Sequence, residues 1–452
     1  MKRIAVIDVG KTNAKLALVD GATLEEVAVL TRPNRVRPSP PWPHFELEGH
    51  WTFFLDGLRA FHADHGVDAI SITTHGASAT LIGHDGQALP MLDYEHTGPD
   101  VIAAQYDAIR PSFAETGSPR LPMGLNVGAQ LHWMLHADSG LRGRIQTIVT
   151  YPQYWGYRLT GVAATDVTSL GCHTDLWNPH TGQFSGLVDR LGIRDLMAPA
   201  RRSSDVLGPI TASVATATGL APDTPVVCGI HDSNASLYPH LLGRSGAFSV
   251  VSTGTWVIAM AMNGSAARLD PARDTLVNVN ALGDPVPTAR FMGGREFELI
   301  RAGRDITVTD QDRTRAHDLM LMPAVEPGTG PFAGHAHAWS RPPSTPGEEM
   351  VALSWYLALM TDTCLGLTGA SGPTVIEGPF ARNADYLSML AAIRPAGVEV
   401  AASSTGTSVG AALLCLGAQS GVATRSIPAP DTSVLQSYAD RWRRAVAKHT
   451  GG

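Results

Sequence analysis

Two stretches of the chain run from an apolar strand through a small polar turn into a second apolar strand. The first covers residues 4–19 and turns at residues 8–13, and the second covers residues 247–260 and turns at residues 252–255. Hairpin turns need small or polar residues, and glycine supplies the backbone freedom that they use. Each pattern therefore predicts a β-hairpin, and each hairpin opens one half of the chain.

The two predicted turns are rich in glycine, threonine and serine. Such a turn presents backbone N–H groups and hydroxyls into a concavity, as the oxygens of an oligophosphate require. A single turn of this kind is commonly no more than a hairpin turn. Two of them suggest a duplicated domain with phosphate held between the halves.

Apolar runs elsewhere alternate between strand and helix character, which predicts an α/β fold. Buried strands are expected at residues 68–74, 224–230, 373–377 and 397–401, and irregular structure in the proline-rich stretch 32–43. Helices are expected at residues 55–65, 127–136, 350–367, 383–393 and 406–416, after residues 231–234 as far as Pro239, and in the aromatic segment that ends at Gly161. The polar stretch 243–246 predicts a domain boundary, with domains at residues 1–243 and 244–452.

Composition narrows the class of protein. The 452 residues are 44% hydrophobic and 17% charged with a net charge of −7, which allows a large core and gives no electrostatic support for nucleic-acid binding. Four apolar residues precede Asp8, too few for a signal peptide, and no uninterrupted apolar run is long enough to span a membrane. The four scattered cysteines (Cys172, Cys228, Cys364, Cys415) have no metal-binding spacing. We expect a cytoplasmic protein with reduced thiols. A homodimer is possible.

Two of the predicted strands end in residues that can carry chemistry. His75 follows residues 68–74, and Asp232 follows residues 224–230. Ligands of α/β sheets gather at the carboxyl ends of strands. Phosphoryl transfer to an alcohol needs positioned phosphates, a divalent cation and an acceptor for the hydroxyl proton, and Asp232 suits the last role. The alternatives are a helix cap for Asp232 and a strand-end turn for His75.

Two other sets of residues have simpler interpretations. Asp8 in the first turn can orient Mg²⁺ directly or through water, or it can be an ordinary turn residue. His335 and His337 form a His-x-His pair in a loop of glycine and proline, and the sequence places no partner ligands beside them. We interpret these two histidines as loop residues.

Four segments together resemble a known family. The pattern Asp8-x-Gly10-x-Thr12-Asn13-x-Lys15 resembles the first phosphate motif of the FGGY carbohydrate kinases, in the superfamily of actin, hexokinase and the heat-shock chaperone ATPases. Residues 252–256 resemble the second phosphate motif, residues 225–232 the segment with the catalytic aspartate, and residues 157–166 another familiar stretch. The likeness covers essentially the whole chain in the right order.

The resemblance implies two actin-like (ribonuclease H-like) domains with an ATP and sugar cleft between them, the first domain for the sugar and the second for the nucleotide. It implies ATP and Mg²⁺ as cofactors, a sugar as substrate, and no nucleic-acid or membrane partner. Asp232 would be the general base and would contribute to the metal site, and Asp8 would hold Mg²⁺ through water. The remaining implied roles are phosphate binding for Gly10, Thr12, Asn13, Thr253, Gly254 and Thr255, adenosine binding for Gly378 and Asn383, and substrate binding for His75, Gly76, Glu95 and Asp232.

The chain departs from the family pattern at three places. Pro379 and Phe380 interrupt the glycines usual in the adenosine segment, residues 403–407 lack the usual acidic residue, and residues 91–97 lack the common Asp-x-Arg. Trp256 and residues 73–76 look closest to the rhamnulokinase and L-fuculokinase branch. We predict an ATP-dependent kinase of a pentulose or 6-deoxyhexulose. A kinase of glycerol or a tetritol, and a catalytically idle sugar or nucleotide sensor, are the alternatives.

Overall fold

A computed structural model describes residues 2–401, 406–417, 423–429 and 432–451. The chain forms two compact units. The first comprises Met1–Gly243, Val277–Pro285 and Thr405–Gly421, and the second comprises Arg244–Leu276, Val286–Ser404 and Val422–Gly452. Residues 277–285 and 405–421, which the sequence analysis placed with the second half, thus belong to the first unit.

The first unit is built on a mixed seven-stranded sheet. Arg3–Val9 forms the predicted antiparallel hairpin with Asn13–Asp20 and lies parallel to Ala69–Thr74 on its other side. Ile230–His231 also pairs with Ala69–Thr74, beside the main path of strands. Along that path the order is Val206–Pro209, Pro225–Val227, Ala69–Thr74, Arg3–Val9, Asn13–Asp20 and Glu26–Pro33.

The second unit repeats this arrangement. Phe248–Thr253 forms the second predicted hairpin with Val257–Met262 and lies parallel to Thr374–Glu377. The order of its sheet is Thr275–Val279, Pro285–Phe291, Val257–Met262, Phe248–Thr253, Thr374–Glu377, Val398–Ala401 and Thr424–Ile427. In the first unit the five strands that start at the hairpin follow the order 3-2-1-4-5, and in the second unit the same order holds once the edge strand Thr275–Val279 is left out of the count. The two halves therefore have the same core topology, as a duplicated domain would.

Helices and short strands complete the two units. The helices of the first unit are Leu47–His65, Gly98–Val101, Ala103–Ile109, Phe113–Thr116, Val127–Ala137, Leu141–Arg144, Tyr151–Thr160, Val167–Leu170, Leu187–Arg190, Ala212–Thr218, Asp232–Leu241 and Thr407–Leu413. Those of the second are Gly293–Arg301, Asp310–Ala316, Pro346–Leu367, Ala384–Ile393 and Thr432–Thr450, with 3₁₀ turns at Pro271–Arg273 and Pro379–Arg382. The short paired strands are Val36–Arg37, His44–Phe45, Ala79–Gly83, Ile145–Thr150, Thr165–Asp166, Trp177–Asn178, Gln183–Phe184, Ala200–Arg201, Leu321–Met322 and Ala338–Trp339.

Two sequence predictions of secondary structure are wrong in part. The expected single strand 224–230 is two short strands, because Gly229 adopts a positive φ of 91° where a Cβ would lie 2.8 Å from the carbonyl oxygen of Ile72. The proline-rich stretch is not wholly irregular. Its first residues end the strand Glu26–Pro33, which is an edge strand, and edge strands tolerate proline.

Among the described residues, one helix is long and apolar enough to cross a membrane by length and composition. Pro346–Leu367 has 22 residues and a mean hydropathy of 1.4 over its most apolar window, and 78% of that window is buried inside the protein. Its residues lie in the hydrophobic core of the second unit with Tyr386, Tyr438 and Trp442. Such burial is typical of the core helix of a globular domain.

Candidate active site

The strand register of the first unit brings three of the predicted site residues to one edge of the sheet. Asp8 lies opposite Thr73, and His231 lies opposite Thr74. His75 and Asp232 are the next residues along their strands, so both stand just beyond the carboxyl end of the sheet. This is the edge at which open α/β sheets bind ligands.

The first turn forms the wall of an open cavity of about 400 Å³. Asp8, Gly10, Thr12, Asn13 and Lys15 line it together with Thr31. The turn is closed by a hydrogen bond from the Gly10 N–H to the carbonyl oxygen of Asn13, at 2.9 Å. The side chains of Thr12 and Asn13 are exposed, so their donors face outward, as phosphate binding would require.

Asn34 fixes this turn from behind. Its amide nitrogen donates to the carbonyl oxygen of Gly10 at 2.9 Å, and its backbone N–H donates to that of Thr12 at 2.8 Å. His50 in turn holds the side-chain oxygen of Asn34, at 2.9 Å. These buried contacts give the turn one conformation, although only the turn itself carries the family motif.

Asp8 is a largely buried carboxylate at the base of the cavity. One of its oxygens, Oδ2, accepts hydrogen bonds from the hydroxyls of Thr407 at 2.5 Å and Ser408 at 3.5 Å, and lies 3.4 Å from the ammonium of Lys15. Burial raises the pKa of Asp8, against the lowering effects of Thr407 and Lys15, and the charge of Asp232 raises it further. Asp8 therefore experiences the negative charge of Asp232.

Asp232 begins the helix Asp232–Leu241 and has a side chain that is 31% exposed. Its Oδ1 accepts the backbone N–H of Ser233 at 2.6 Å and lies 3.2 Å from Nε2 of His231. Burial lowers the pKa of His231, but the negative charges of Cys172 and Asp232 outweigh burial and raise that pKa to about 9. At neutral pH His231 is therefore an imidazolium that lies beside the carboxylate of Asp232.

His75 is buried, with 6% of its surface exposed, and the rings of Phe45, Tyr94 and Tyr151 pack around it at centroid distances of 5.1–5.3 Å. Its Nδ1–H donates to the carbonyl oxygen of Gly76 at 2.9 Å. Burial lowers the pKa of His75, so the ring is neutral at pH 7. The lone pair therefore sits on Nε2, a buried atom that has no partner within the described part of the chain.

Gly76 has a packing reason to be glycine. A Cβ at this position would lie 2.5 Å from Nε2 of His231 and 3.4 Å from Sγ of Cys172. Because Gly76 has no Cβ, the ring of His231 can approach the backbone beside His75. The predicted contact of Gly76 with the substrate stays a prediction.

Glu95 lies on the loop that follows the short strand Ala79–Gly83, and its side chain is 57% exposed. Its carboxylate is 3.2 Å from the ammonium of Lys11, which also pairs with Asp93. Lys11 stands between Gly10 and Thr12, so these ion pairs join the first turn to the segment 93–95. Burial raises the pKa of Tyr94 in this segment, and the charges of Glu95, Asp93 and Asp232 raise it further.

The second turn belongs to the second unit, and its three predicted phosphate ligands differ in their surroundings. The hydroxyl of Thr253 donates to the carbonyl oxygen of Glu377 and accepts the N–H of Phe380 at 3.1 Å, so it is engaged inside the protein. The N–H of Gly254 donates to the carbonyl oxygen of Trp256 at 2.9 Å. Thr255 is exposed at the tip of the turn, where its hydroxyl can reach a ligand.

The two predicted adenosine residues have structural roles in the second unit. Gly378 has a φ of 81°, and a Cβ there would lie 1.9 Å from the carbonyl oxygen of Thr253. Asn383 caps the helix Ala384–Ile393: its side-chain oxygen accepts the N–H of Tyr386, and its amide donates to Ser354, both at 3.0 Å. Contact with adenosine stays a prediction for both residues.

The residues at the first turn fit a magnesium ion. Mg²⁺ prefers hard oxygen ligands, takes one or two carboxylates and keeps several waters. Asp8 and Asp232 are the two carboxylates available, and the hydroxyl of Thr407 donates to Asp8. The described residues contain no group of three or more His, Cys, Asp or Glu side chains that could hold a metal ion.

The structure also brings in residues to which the sequence analysis gave no role: Lys11, Asn34, His231, Thr407 and Ser408. Lys11 and His231 lie within the motifs that resemble the family, so their positions could have marked them as candidate site residues. Asn34 and Thr407 lie 24 and 399 residues from their partners in the turn, and nothing local in the sequence marks them. The expected change of pattern at residues 403–405 lies outside the described residues.

Comparison with known proteins decides the family. A model of the FGGY family of carbohydrate kinases, N-terminal domain, matches residues 3–238, and a model of the carbohydrate kinase FGGY, C-terminal domain, matches residues 245–424. The chain belongs to the FGGY family of carbohydrate kinases. The predicted family and the two-domain α/β fold are confirmed.

Individual relatives of this FGGY protein differ in how much of the chain they match. A carbohydrate kinase of known structure from Novosphingobium aromaticivorans is 36% identical, with a TM-score of 0.89, over 98% of this chain and all of its own. The L-xylulose/3-keto-L-gulonate kinase of Escherichia coli K12 is 27% identical over 43% of this chain, and the match spans only 41% of that relative's length. A xylulose kinase from Lactobacillus acidophilus, 17% identical with a TM-score of 0.77, shares the fold.

Proposed function

We propose that this protein transfers the γ-phosphate of ATP to a hydroxyl of a ketose, a pentulose or a 6-deoxyhexulose, in the cytoplasm. The observation that carries the proposal is the single sheet edge of the first unit at which Asp232, His75 and the glycine-threonine turn meet. Membership of the FGGY kinases and the partial match to a kinase of L-xylulose support it.

Asp232 is the proposed general base. Its carboxylate is partly exposed, so a substrate hydroxyl can reach it, and its backbone is fixed by the start of a helix. His231 lies 3.2 Å from it and places a positive charge beside it. As the hydroxyl oxygen attacks the phosphorus, Asp232 accepts the proton that would otherwise leave a cationic oxygen.

His75 is proposed to orient the acceptor. Its Nδ1–H is committed to the carbonyl oxygen of Gly76, so Nε2 can only accept a hydrogen bond. A sugar hydroxyl would donate to this buried atom, and the surrounding rings hold the imidazole in place. The partner that Nε2 lacks in the described residues would thus be supplied by substrate.

In the first turn, phosphate is proposed to bind at the exposed side chains of Thr12 and Asn13, because the N–H of Gly10 is used to close the turn. In the second turn the N–H of Gly254 is likewise engaged, so the exposed hydroxyl of Thr255 is its proposed phosphate donor. Asp8 would hold Mg²⁺ through water, with Asp232 nearby. When bound, the ion neutralises charge on the phosphate oxygens as the reaction proceeds. Lys15 keeps Asp8 in position through its contact of 3.4 Å.

The test measures ADP release with Mg-ATP and a panel of acceptors: L-xylulose, L-rhamnulose, L-fuculose and glycerol. We expect turnover with one of the ketoses. Asp232→Asn keeps the shape of the residue but cannot accept the proton, so turnover should fall about 10²–10⁴-fold. Binding of Mg-ADP and of the acceptor, measured by calorimetry, should persist.

The matched control is Asp56→Asn, on an exposed face of the helix Leu47–His65, which should turn over like the unmodified protein. Unchanged turnover in Asp232→Asn would remove the assigned base. Thermal stabilisation by nucleotide without ADP production from any acceptor would favour the idle sensor over the kinase.

A further inference from the structure

Lys11 connects two segments that the proposed reaction must bring together. Its backbone belongs to the first phosphate turn, between Gly10 and Thr12, and its ammonium binds the carboxylates of Asp93 and Glu95, the latter at 3.2 Å. The side chain is 25% exposed. It therefore reaches from the phosphate turn to the acceptor segment 93–95.

Aromatic rings hold the ammonium on its other sides. Nζ lies 4.4 Å from the centroid of Tyr94 and 5.1 Å from that of Phe45, both within the range of cation–π attraction. These are the rings that also pack against His75. Lys11 and His75, the residue proposed to orient the acceptor, thus contact the same two aromatic rings.

The choice of lysine here is unusual for this chain. Only four of its 34 lysine and arginine residues are lysines, and two of the four are Lys11, within the first turn, and Lys15, on the strand that follows it. A compact ammonium on a flexible stem fits between two carboxylates and two ring faces, whereas a planar guanidinium needs more room and a fixed geometry. A lysine therefore suits this position better than an arginine.

The charges around the acceptor segment do not cancel. Asp93, Glu95 and Asp232 contribute three negative charges and Lys11 one positive charge. Burial, followed by the charges of Glu95, Asp93 and Asp232, raises the pKa of Tyr94 to about 12, which reports the same negative field.

We propose that Lys11 is a specificity-determining residue: it fixes Asp93 and Glu95 against the phosphate turn, and the negative charge that remains admits uncharged ketoses and excludes acceptors that carry a carboxylate. This inference rests on the proposed function and narrows its substrate class. It separates this chain from kinases of sugar acids, such as the relative named for 3-keto-L-gulonate. An acidic acceptor would place a further negative charge beside three carboxylates.

The first measurement compares uncharged and acidic acceptors in the unmodified protein. The probes are L-xylulose, L-rhamnulose and L-fuculose against gluconate and 3-keto-L-gulonate. Both kcat/KM and the binding of each acceptor in the presence of Mg-ADP are measured. The binding data give the preference for uncharged over acidic acceptors even if no probe is phosphorylated. We expect a preference of at least about 100-fold for the best uncharged probe. Equal or tighter binding of an acid would overturn the inference and leave the kinase proposal standing.

Substitutions then assign the preference to this ion cluster. In Lys11→Met the two carboxylates repel each other and the segment loses its anchor, so the KM of the best ketose should rise about tenfold while kcat changes less than about threefold. Lys11→Arg should recover part of the KM, and the affinity for Mg-ADP should not change. A Lys11→Met variant with an unaltered KM would contradict the role.

A second variant tests the charge itself. Glu95→Gln, at an exposed side chain, should narrow the preference for uncharged over acidic acceptors about tenfold, because one negative charge is removed. Lys448→Met, on the exposed face of the helix Thr432–Thr450, is the matched control and should leave the preference as it is. An unchanged preference in Glu95→Gln would refute the electrostatic origin even if Lys11→Met failed to fold.

Discussion

At the scale of single residues, the site depends on which atom of each side chain is already engaged. His75 donates through Nδ1 and so presents a bare Nε2, whereas the hydroxyl of Thr253 is used within its own unit. Asn34 engages its backbone N–H, its amide and its side-chain oxygen at once. The residue type named by a motif therefore does not settle its role, because the same hydroxyl or ring can face a ligand or the protein.

His50 gives a prediction for stability against pH. It is buried, with 1% of its surface exposed, and holds Asn34 behind the first turn. Burial, and next the charge of Arg32, lower the pKa of His50 to about 4. The unfolded chain, with a histidine pKa of about 6.5, binds a proton that the folded protein does not. Stability from this residue is therefore complete above pH 6.5 and is lost as pH falls toward 4.

The measurement is the free energy of unfolding in denaturant at pH 7.5 and pH 5. At about 1.4 kcal/mol per pKa unit, His50 should account for roughly 2 kcal/mol of the loss between the two pH values. His50→Gln can still donate to Asn34 but does not titrate, so its loss should be smaller by that amount. His65→Gln, at the exposed end of the same helix, should behave like the unmodified protein. Equal acid sensitivity in all three would contradict the assignment.

At the scale of elements, two helices of the first unit pack so closely that one position must be glycine. A Cβ on Gly410, in the helix Thr407–Leu413, would lie 1.8 Å from the carbonyl oxygen of Ala235 in the helix Asp232–Leu241. The first helix supplies the Thr407 hydroxyl to Asp8, and the second begins at Asp232. This contact therefore positions both carboxylates of the candidate site.

Gly410→Ala should push these helices apart and destabilise the protein by about 1–3 kcal/mol, the usual cost of inserting a methyl into a filled interface. Thermal or denaturant unfolding measures it. Gly143→Ala is the control, because the added Cβ would meet no atom within 4 Å and the residue lies in the helix Leu141–Arg144. A Gly410→Ala variant as stable as this control would show that the helices can separate without loss.

At the scale of the whole molecule, the first unit is not continuous in sequence. Residues 405–421 return to it after the chain has formed most of the second unit. In the returning helix, Ala411, Ala412 and Leu413 are at most 2% exposed, and Ser71 donates to the carbonyl oxygen of Ala411 at 2.7 Å. The core of the first unit thus depends on residues from the end of the chain.

A fragment of residues 1–243 should therefore not fold cooperatively, although it ends at the predicted domain boundary. Its sheet would lose the apolar cover that the helix Thr407–Leu413 provides. Circular dichroism and urea unfolding of the fragment beside the full chain measure this. A sharp, cooperative transition in the fragment would show that residues 1–243 are sufficient.

Much of the fold could be predicted from local pattern. Both hairpins, the strand Ala69–Thr74, and the helices Val127–Ala137 and Ala384–Ile393 agree with the sequence analysis to within about two residues. Apolar periodicity and glycine or asparagine at element ends are properties of adjacent residues. The break at Gly229 was not predicted, because it arises from the approach of Ile72, a residue on another strand.

The sequence by itself determined the two turns, the strand ends that carry His75 and Asp232, and the family to which the chain belongs, since each is written in residues that are neighbours along the chain. Only the tertiary structure decided that Thr407 meets Asp8, 399 residues away, that Lys11 binds Asp93, 82 residues away, and that Thr253 turns inward. These contacts form when separate elements pack, and side-chain burial and charge then select among partners that the linear order does not reveal.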